Sequence, residues 1–349
     1  MTHLDRHLDG GWFPENEQRI RTALIQETDD SAQPLAAVLD FDNTCIFRDI
    51  GRGFFRCQLF ALHYRISPQA LAGLLPELDV VVEQRPLRLV RQQLLADYGL
   101  LHPLLVQGQR NQAMNHQACH RFTALMLWYV RVARELPSLG STQVVTLLAR
   151  LLGGFSVHEL QELAHKVIKT LLAEPLTLST RSATLPAPLG TITETYEQGL
   201  RPYPEIVNLL GWLDTANITC HIISASNEAL VRAAAKHLDF PVDSENIHGI
   251  RLQEGQHGLC TSELDPNTPV TCRQGKNEAI DRHVKGRVLL VAGDADTDYE
   301  MLTRPGIPLR LLINRKQQGL ISSLYTHPDY LLQGIDRTRG CFRPSRETL

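Results

Sequence analysis

Leu35-Ala36-Ala37-Val38-Leu39-Asp40-Phe41-Asp42-Asn43-Thr44 decides how the rest of the chain is read. An apolar run stops abruptly at an aspartate. A continuous run of that length describes a strand buried on both faces, as in a parallel sheet covered by helices on either side. Two further segments have the same form: Ile218-Thr219-Cys220-His221-Ile222-Ile223 ahead of Ser224, and Val288-Leu289-Leu290-Val291 ahead of Gly293-Asp294. Helical patterns alternate with such runs after residue 200, so the expected core is an α/β fold around a parallel sheet. Ligands bind such sheets beyond the carboxyl ends of the strands, and here those ends carry Asp, Ser and Asp.

The segment between the first two runs has a different texture. Ser67-Pro68 opens a helix over 69–75, residues 122–136 repeat apolar side chains at helical spacing, and Ser156-x-x-Glu159 is a capping-box pattern. Residues 175–190, with Pro175, Pro186, Pro188 and Gly190 among Ser and Thr, read as a loop or linker. Arg201-Pro202-Tyr203-Pro204 restarts the core with a helix over 205–213. The layout is therefore one core, residues 1–45 and 201–349, interrupted by a mostly helical insertion, residues 46–200. A hairpin is expected from 247–252 and 259–261, and one further strand over 309–313. Arg337, Arg339, Arg343 and Arg346 read as a solvated end.

Composition narrows the partners. A chain of 349 residues suits about two domains at roughly 150 residues each. Lys and Arg number 35 against 38 Asp and Glu, a net charge of -3 that gives no reason to expect nucleic acid or an anionic membrane. No apolar run approaches the roughly 20 residues needed to cross a bilayer. The seven cysteines include no C-x-x-C pair and fit scattered reduced thiols. With a polar start over residues 1–6 and no leader pattern, we expect a cytoplasmic protein, or a periplasmic one if a leader has been removed.

The strand ends carry the chemistry. Asp40 and Asp42 stand two residues apart after a buried strand, and paired carboxylates of this kind divide the work of nucleophile and proton carrier. Ser224 and the amides after it suit a phosphate oxygen at a helix start, where its other reading is an N-cap. Lys276 suits a point charge over a phosphate. Gly293-Asp294-Ala295-Asp296-Thr297-Asp298 sets three acids in alternation after a strand, which repel one another unless a cation or hydrogen-bond donors lie among them; oxygen ligands select a hard ion such as Mg²⁺, and the other reading is a solvated turn.

Asp40-x-Asp42-x-Thr44, Ser224, Lys276 and Gly293-Asp294-x-x-x-Asp298, in that order, resemble the four-motif set of the haloacid dehalogenase (HAD) superfamily of phosphohydrolases. The resemblance implies a three-layer Rossmann-like core, with residues 46–200 as a helical C1 cap that selects substrate. Ser224-Ala225-Ser226, Arg201-Pro202-Tyr203-Pro204 and Gly275-Lys276 look most like the phosphoserine-phosphatase branch, and particularly the phosphorylcholine phosphatase group. The implied activity is Mg²⁺-dependent hydrolysis of a small soluble phosphomonoester, such as a phosphorylated amine or amino alcohol. Asp40 is then the nucleophile that forms an aspartyl-phosphate, and Asp42 the general acid and base. Mg²⁺ is held by Asp40, the Asp42 carbonyl and Asp294. Ser224, Ala225 and Lys276 hold the phosphate oxygens, with Asn43 and Thr44 completing that loop. Asp298 and Gly293 support the metal site, and Asp49 contacts a substrate amine or forms an ion pair within its loop. Trp128 and Tyr129 read as core in preference to a cation box. The alternatives are a phosphotransferase using the same intermediate and a non-catalytic phosphate-binding relative.

Overall fold

The computed structural model describes residues 8–30 and 33–349, so the opening residues 1–6 lie outside the described residues. The central sheet has seven strands: Leu35–Leu39 (β1), Thr219–Asn227 (β2), Ile247–Ile250 (β3), Arg287–Gly293 (β4), Leu309–Asn314 (β5), Tyr330–Asp336 (β6) and Cys341–Phe342 (β7). Their spatial order is β7-β6-β5-β4-β1-β2-β3, and every neighbouring pair is parallel except β6 with β7. The chain builds outward from β1 to one side and then returns to build from β4 on the other. The crevice between β1 and β4 is thus the topological switch point at which ligands collect.

Side-chain alternation produces the layers. Leu35, Ala37 and Leu39 join one apolar cluster with Ile222, Leu290 and Ala292, whereas Val38 joins another with Ile223 and Val291. Helices Pro204–Thr215 and Glu228–His237 close the first face, and Gln274–His283 and Tyr299–Leu302 the second. The α/β reading of the core holds. In register, Leu39 lies opposite both Ala292 and Ile222, so the residues after β1 and β4 emerge at one edge beside the far half of β2.

The segment after β1 contributes helices including Ile50–Phe60, Pro68–Leu74, Gln117–Glu135, Gly140–Arg150 and Val157–Ala173. Both bonds of the Ser156/Glu159 capping box form, at 2.9 and 3.2 Å. Ile50, Phe54 and the buried face of helix Val157–Ala173 join the sheet's own cluster, whereas a separate apolar cluster fills much of this region, with Trp128 and Tyr129 at 1% and 2% exposure. These rings are core, as read, and Trp128 Nε1 donates to Glu83. Chain exit and return lie side by side: Ile46–Phe47 pairs antiparallel with Arg201–Pro202. Among the described residues no helix is long and apolar enough to cross a membrane.

Three local readings need correction. Residues 175–190 are not a linker, because Leu178–Thr184 pairs antiparallel with Thr191–Glu197 and only the residues between them turn. The first of these strands, Leu-Ser-Thr-Arg-Ser-Ala-Thr, alternates exposed with half-buried residues and has no apolar run, so its polarity hid it. The expected hairpin at 247–261 is split: Ile247–Ile250 joins the sheet edge, while Leu252–Glu254 pairs with Cys260–Leu264. At the arginine-rich end Arg337, Arg339 and Arg346 are exposed, as read, but the segment is folded: β6 and β7 follow β5, Arg346 donates to the Tyr325 carbonyl and Thr348 is buried. Gln333 and Gly334 had broken the apolar run of β6; Gln333 is fully buried, with its amide on the Gly11 and Arg343 carbonyls.

One part of the core titrates. His248 on β3 stacks on His283 at 4.1 Å between ring centroids and on His221 of β2 at 6.0 Å, and both of its ring nitrogens are buried without a hydrogen-bond partner. Burial, then His283 and His221, push its pKa down to about 3. The folded protein therefore resists a proton that the unfolded chain accepts below about 6.5. The contribution of His248 is intact above that pH and is lost progressively as pH falls toward about 3. In urea unfolding, wild type should lose stability relative to His248→Gln between pH 7 and 5, by at most about 1.4 kcal/mol per pH unit. Parallel stability curves for the two proteins would rule this out.

Candidate active site

The loop after β1 curls tightly. The Cys45 and Ile46 amides donate to the Phe41 carbonyl, the Asn43 amide to the Arg48 carbonyl, and Asn43 takes φ 61°, a left-handed conformation that asparagine tolerates well. This turn brings Asp40 and Asp42 to one volume. Asp42 Oδ1 accepts from the Ile50 amide at 2.6 Å, and its Oδ2 from Ser226 Oγ at 2.6 Å and Ser224 Oγ at 3.2 Å. Burial, then the charge of Asp49, push Asp42 up to about 8 against these donors, which favours its protonated form.

Asp40 belongs to a second network. Lys276 Nζ, fully buried, lies 2.5 Å from Asp40 Oδ1 and 2.6 Å from Asp298 Oδ1. Asp298 Oδ2 accepts from the Asp294 and Ala295 amides at 2.9 and 3.1 Å. Gly293 permits this approach, since a Cβ there would stand 2.6 Å from the Asp298 Cβ. Asp294 Oδ1 accepts from Thr44 Oγ1 at 3.3 Å and its Oδ2 from Arg315 Nη1 at 2.6 Å. Burial, then Asp298, push Asp40 well above the usual carboxylate range. Burial likewise lifts Asp294 to about 6 although Arg315 opposes it. Burial also works against the charge of Lys276, but Asp298 and Asp40 outweigh it and hold the ammonium protonated.

The residue set fits a hard divalent cation. Asp40, Asp294 and Asp298 are all buried, and each offers an oxygen within 4.8 Å of the others. Asp298 Oδ1 meets no hydrogen-bond donor in favourable geometry, and three carboxylates outnumber the two cations, Lys276 and Arg315, that touch them.

A cavity opens over these groups, with Asp40, Asp42, Asn43, Ala225 and Asp294 on its floor and Phe54, Val144 and Leu148 among its walls. Lys276 and Ser224, both fully buried, lie behind that floor. Ser224 is not a helix cap: β2 stays extended through Asn227, whose side chain caps the following helix. Asp296 is not in the acid cluster. Its Oδ1 accepts from the Ile321 amide at 2.8 Å and ties down the turn after β5. Asp49 lines the cavity, caps helix Ile50–Phe60 and pairs with Arg52 at 3.5 Å, so the ion pair within the loop forms. Arg48 turns away to the Thr177 and Gln198 carbonyls. Sequence reasoning passed over Ser226 and Arg315. Arg315 directly follows a buried parallel strand, the same position that had flagged Asp40 and Asp294.

Residues 111–303 match the family described as haloacid dehalogenase-like hydrolase. The chain belongs to that family. The matched span of this haloacid dehalogenase-like hydrolase includes Ser224, Lys276, Asp294 and Asp298 and stops short of Asp40, which the fold brings to them. No curated protein matches it. Among solved structures, a conserved functionally unknown protein from Anaerococcus prevotii DSM 20548 is 22% identical over 100% of this chain and 99% of that one, with a TM-score of 0.82, and shares the fold. A substrate-bound phosphoserine phosphatase is 11% identical over 91% of this chain and 96% of that one, with a TM-score of 0.39. A phosphoserine phosphohydrolase-like protein from Francisella tularensis subsp. tularensis SCHU S4 is 13% identical over 80% and 87%, with a TM-score of 0.36.

Proposed function

We propose that this hydrolase cleaves small phosphomonoesters through an aspartyl-phosphate on Asp40. The observation that carries the reading is the pairing of Asp40, on the cavity floor beside a buried cation, with Asp42, whose carboxyl is held by three donors and which burial pushes toward the protonated form. An Asp40 oxygen attacks phosphorus, the bond from phosphorus to the ester oxygen breaks, and Asp42 gives its proton to that oxygen. Asp42 then takes a proton from a water whose oxygen attacks the aspartyl-phosphate, releasing inorganic phosphate and the Asp40 carboxylate. A Mg²⁺ bound by Asp40, Asp294 and the Asp42 carbonyl, with Asp298 in support, supplies positive charge that lets an anionic nucleophile meet an anionic phosphate. Ala225 and Asn43 line the phosphate end of the cavity, and Ser224 and Thr44 hold Asp42 and Asp294 in place.

In this reading residues 46–200 form the cap and residues 1–45 and 201–349 the catalytic domain, because Phe54, Val144 and Leu148 come from the insertion to wall the cavity. Asp49 and Glu197 add acids to its lining, which makes phosphorylated amines and amino alcohols the first compounds to test. The likeness to the phosphorylcholine phosphatase group rests on motifs alone. Seven free cysteines favour a reducing compartment such as the cytoplasm. Purified protein should release phosphate from p-nitrophenyl phosphate with Mg²⁺, lose that activity in EDTA and regain it on Mg²⁺ addition. Undiminished turnover in EDTA would refute the metal role, and no turnover under any divalent cation would refute the phosphatase.

A further inference from the structure

The cation beneath the cavity floor, Lys276, is already engaged by carboxylates. It is fully buried, and its ammonium is shared between Asp40 and Asp298. Three arginines line the cavity: Arg52, Arg134 and Arg315. Arg52 pairs with Asp49, and Arg134 sits on helix Gln117–Glu135 of the insertion. Arg315 alone of these touches the acid cluster, through Nη1 on Asp294 Oδ2 at 2.6 Å, while its side chain keeps 20% exposure. Its backbone is set by β5, which it follows directly, and its carbonyl accepts from Arg337 Nη2.

A guanidinium has donors to spare. It carries five N–H groups in a planar fork, and among the described residues only Nη1 of Arg315 has a partner. Arg315 lines the cavity with a partly exposed side chain, so its remaining N–H groups are within reach of what the cavity holds. We infer that Arg315 is a further phosphate-binding group of the site, holding Asp294 with one edge of its fork and anionic phosphate oxygens of the substrate with another. The inference rests on the phosphomonoesterase reading above. A planar fork suits two oxygens of one phosphate better than an ammonium does, and a further cation at the rim of a carboxylate cluster favours the docking of a dianion.

The test is titration of inorganic phosphate into the full-length protein by calorimetry at saturating Mg²⁺, with Mg²⁺ affinity measured separately. Arg315→Gln should weaken phosphate binding roughly tenfold to a hundredfold, the range expected for a charge-assisted hydrogen bond. Arg315→Lys, which keeps the charge and loses the fork, should fall between that variant and wild type and guards against misfolding of the glutamine form. If phosphate affinity at saturating Mg²⁺ is unchanged in both variants and only Mg²⁺ affinity falls, Arg315 merely orients Asp294 and the inference is overturned. If wild type itself neither binds phosphate nor hydrolyses p-nitrophenyl phosphate, the phosphomonoesterase reading fails and the inference with it.

Discussion

Asp40→Asn should abolish phosphate release while leaving the protein at least as stable as wild type. Removing a nucleophile from a cooperating set costs on the order of 10⁴ to 10⁶ in turnover, and phosphomonoesters are so inert that enhancements approach about 10²¹. The stability half of the expectation comes from the electrostatics of the site. Asp40 is buried beside Asp298 and Asp294, and both its burial and the charge of Asp298 act against the ionised form. A neutral amide of the same shape relieves that repulsion and still offers its carbonyl oxygen to Lys276. Functional sites commonly hold strain that an inactivating substitution relaxes. Phosphate release and thermal melts on the same preparation decide the matter: activity within tenfold of wild type excludes Asp40 as nucleophile, and a large fall in melting temperature excludes the electrostatic account.

Lys276→Met should be the opposite kind of change. The ammonium it removes lies 2.5 and 2.6 Å from two buried carboxylates, and no other cation touches Asp40 or Asp298 among the described residues. Breaking a buried ion pair from one side costs about 3–5 kcal/mol, because the charge left behind has no compensation. Activity should disappear as well, since Lys276 holds the nucleophile in place. Adding Asp298→Asn to Lys276→Met removes one of the stranded charges and should return part of the stability without returning activity. Urea unfolding at pH 7 of the single and double variants measures this. A single variant that unfolds within about 1 kcal/mol of wild type would show that the ammonium contributes little net stability.

Much of the core was legible because buried parallel strands leave a strong local mark. Leu35–Leu39 is uninterrupted and apolar, and the abrupt change to Asp40 is itself the sign of a strand end at a ligand crevice. Ser156 and Glu159 were legible for another local reason, the reciprocal bonds of a capping box. What escaped was either polar throughout or set by partners distant in sequence. The hairpin Leu178–Glu197 is polar on its open face and shows no apolar run. Asp296 looks like its neighbours Asp294 and Asp298, yet its role as a brace for the Ile321 turn depends on a loop that folds back after β5. Arg315 stands alone after its strand, and nothing nearby in sequence announces that Asp294 waits across the sheet edge. The stacked His221, His248 and His283 come from β2, β3 and a helix, so only the fold assembles them.

The pairing of Ile46–Phe47 with Arg201–Pro202 bears on how such a protein can diversify. The chain leaves the catalytic sheet and returns to it through two strands that hydrogen-bond to each other, so the ends of everything between them are fastened together whatever that segment contains. A replacement whose termini meet keeps that fastening, provided it also supplies the apolar face with which helix Val157–Ala173 packs into the sheet's own cluster. In the proposed reading, the edge that carries Asp40, Asp42 and Asp294 stays constant while the wall facing it varies, and swapping that segment between relatives should then change substrate preference.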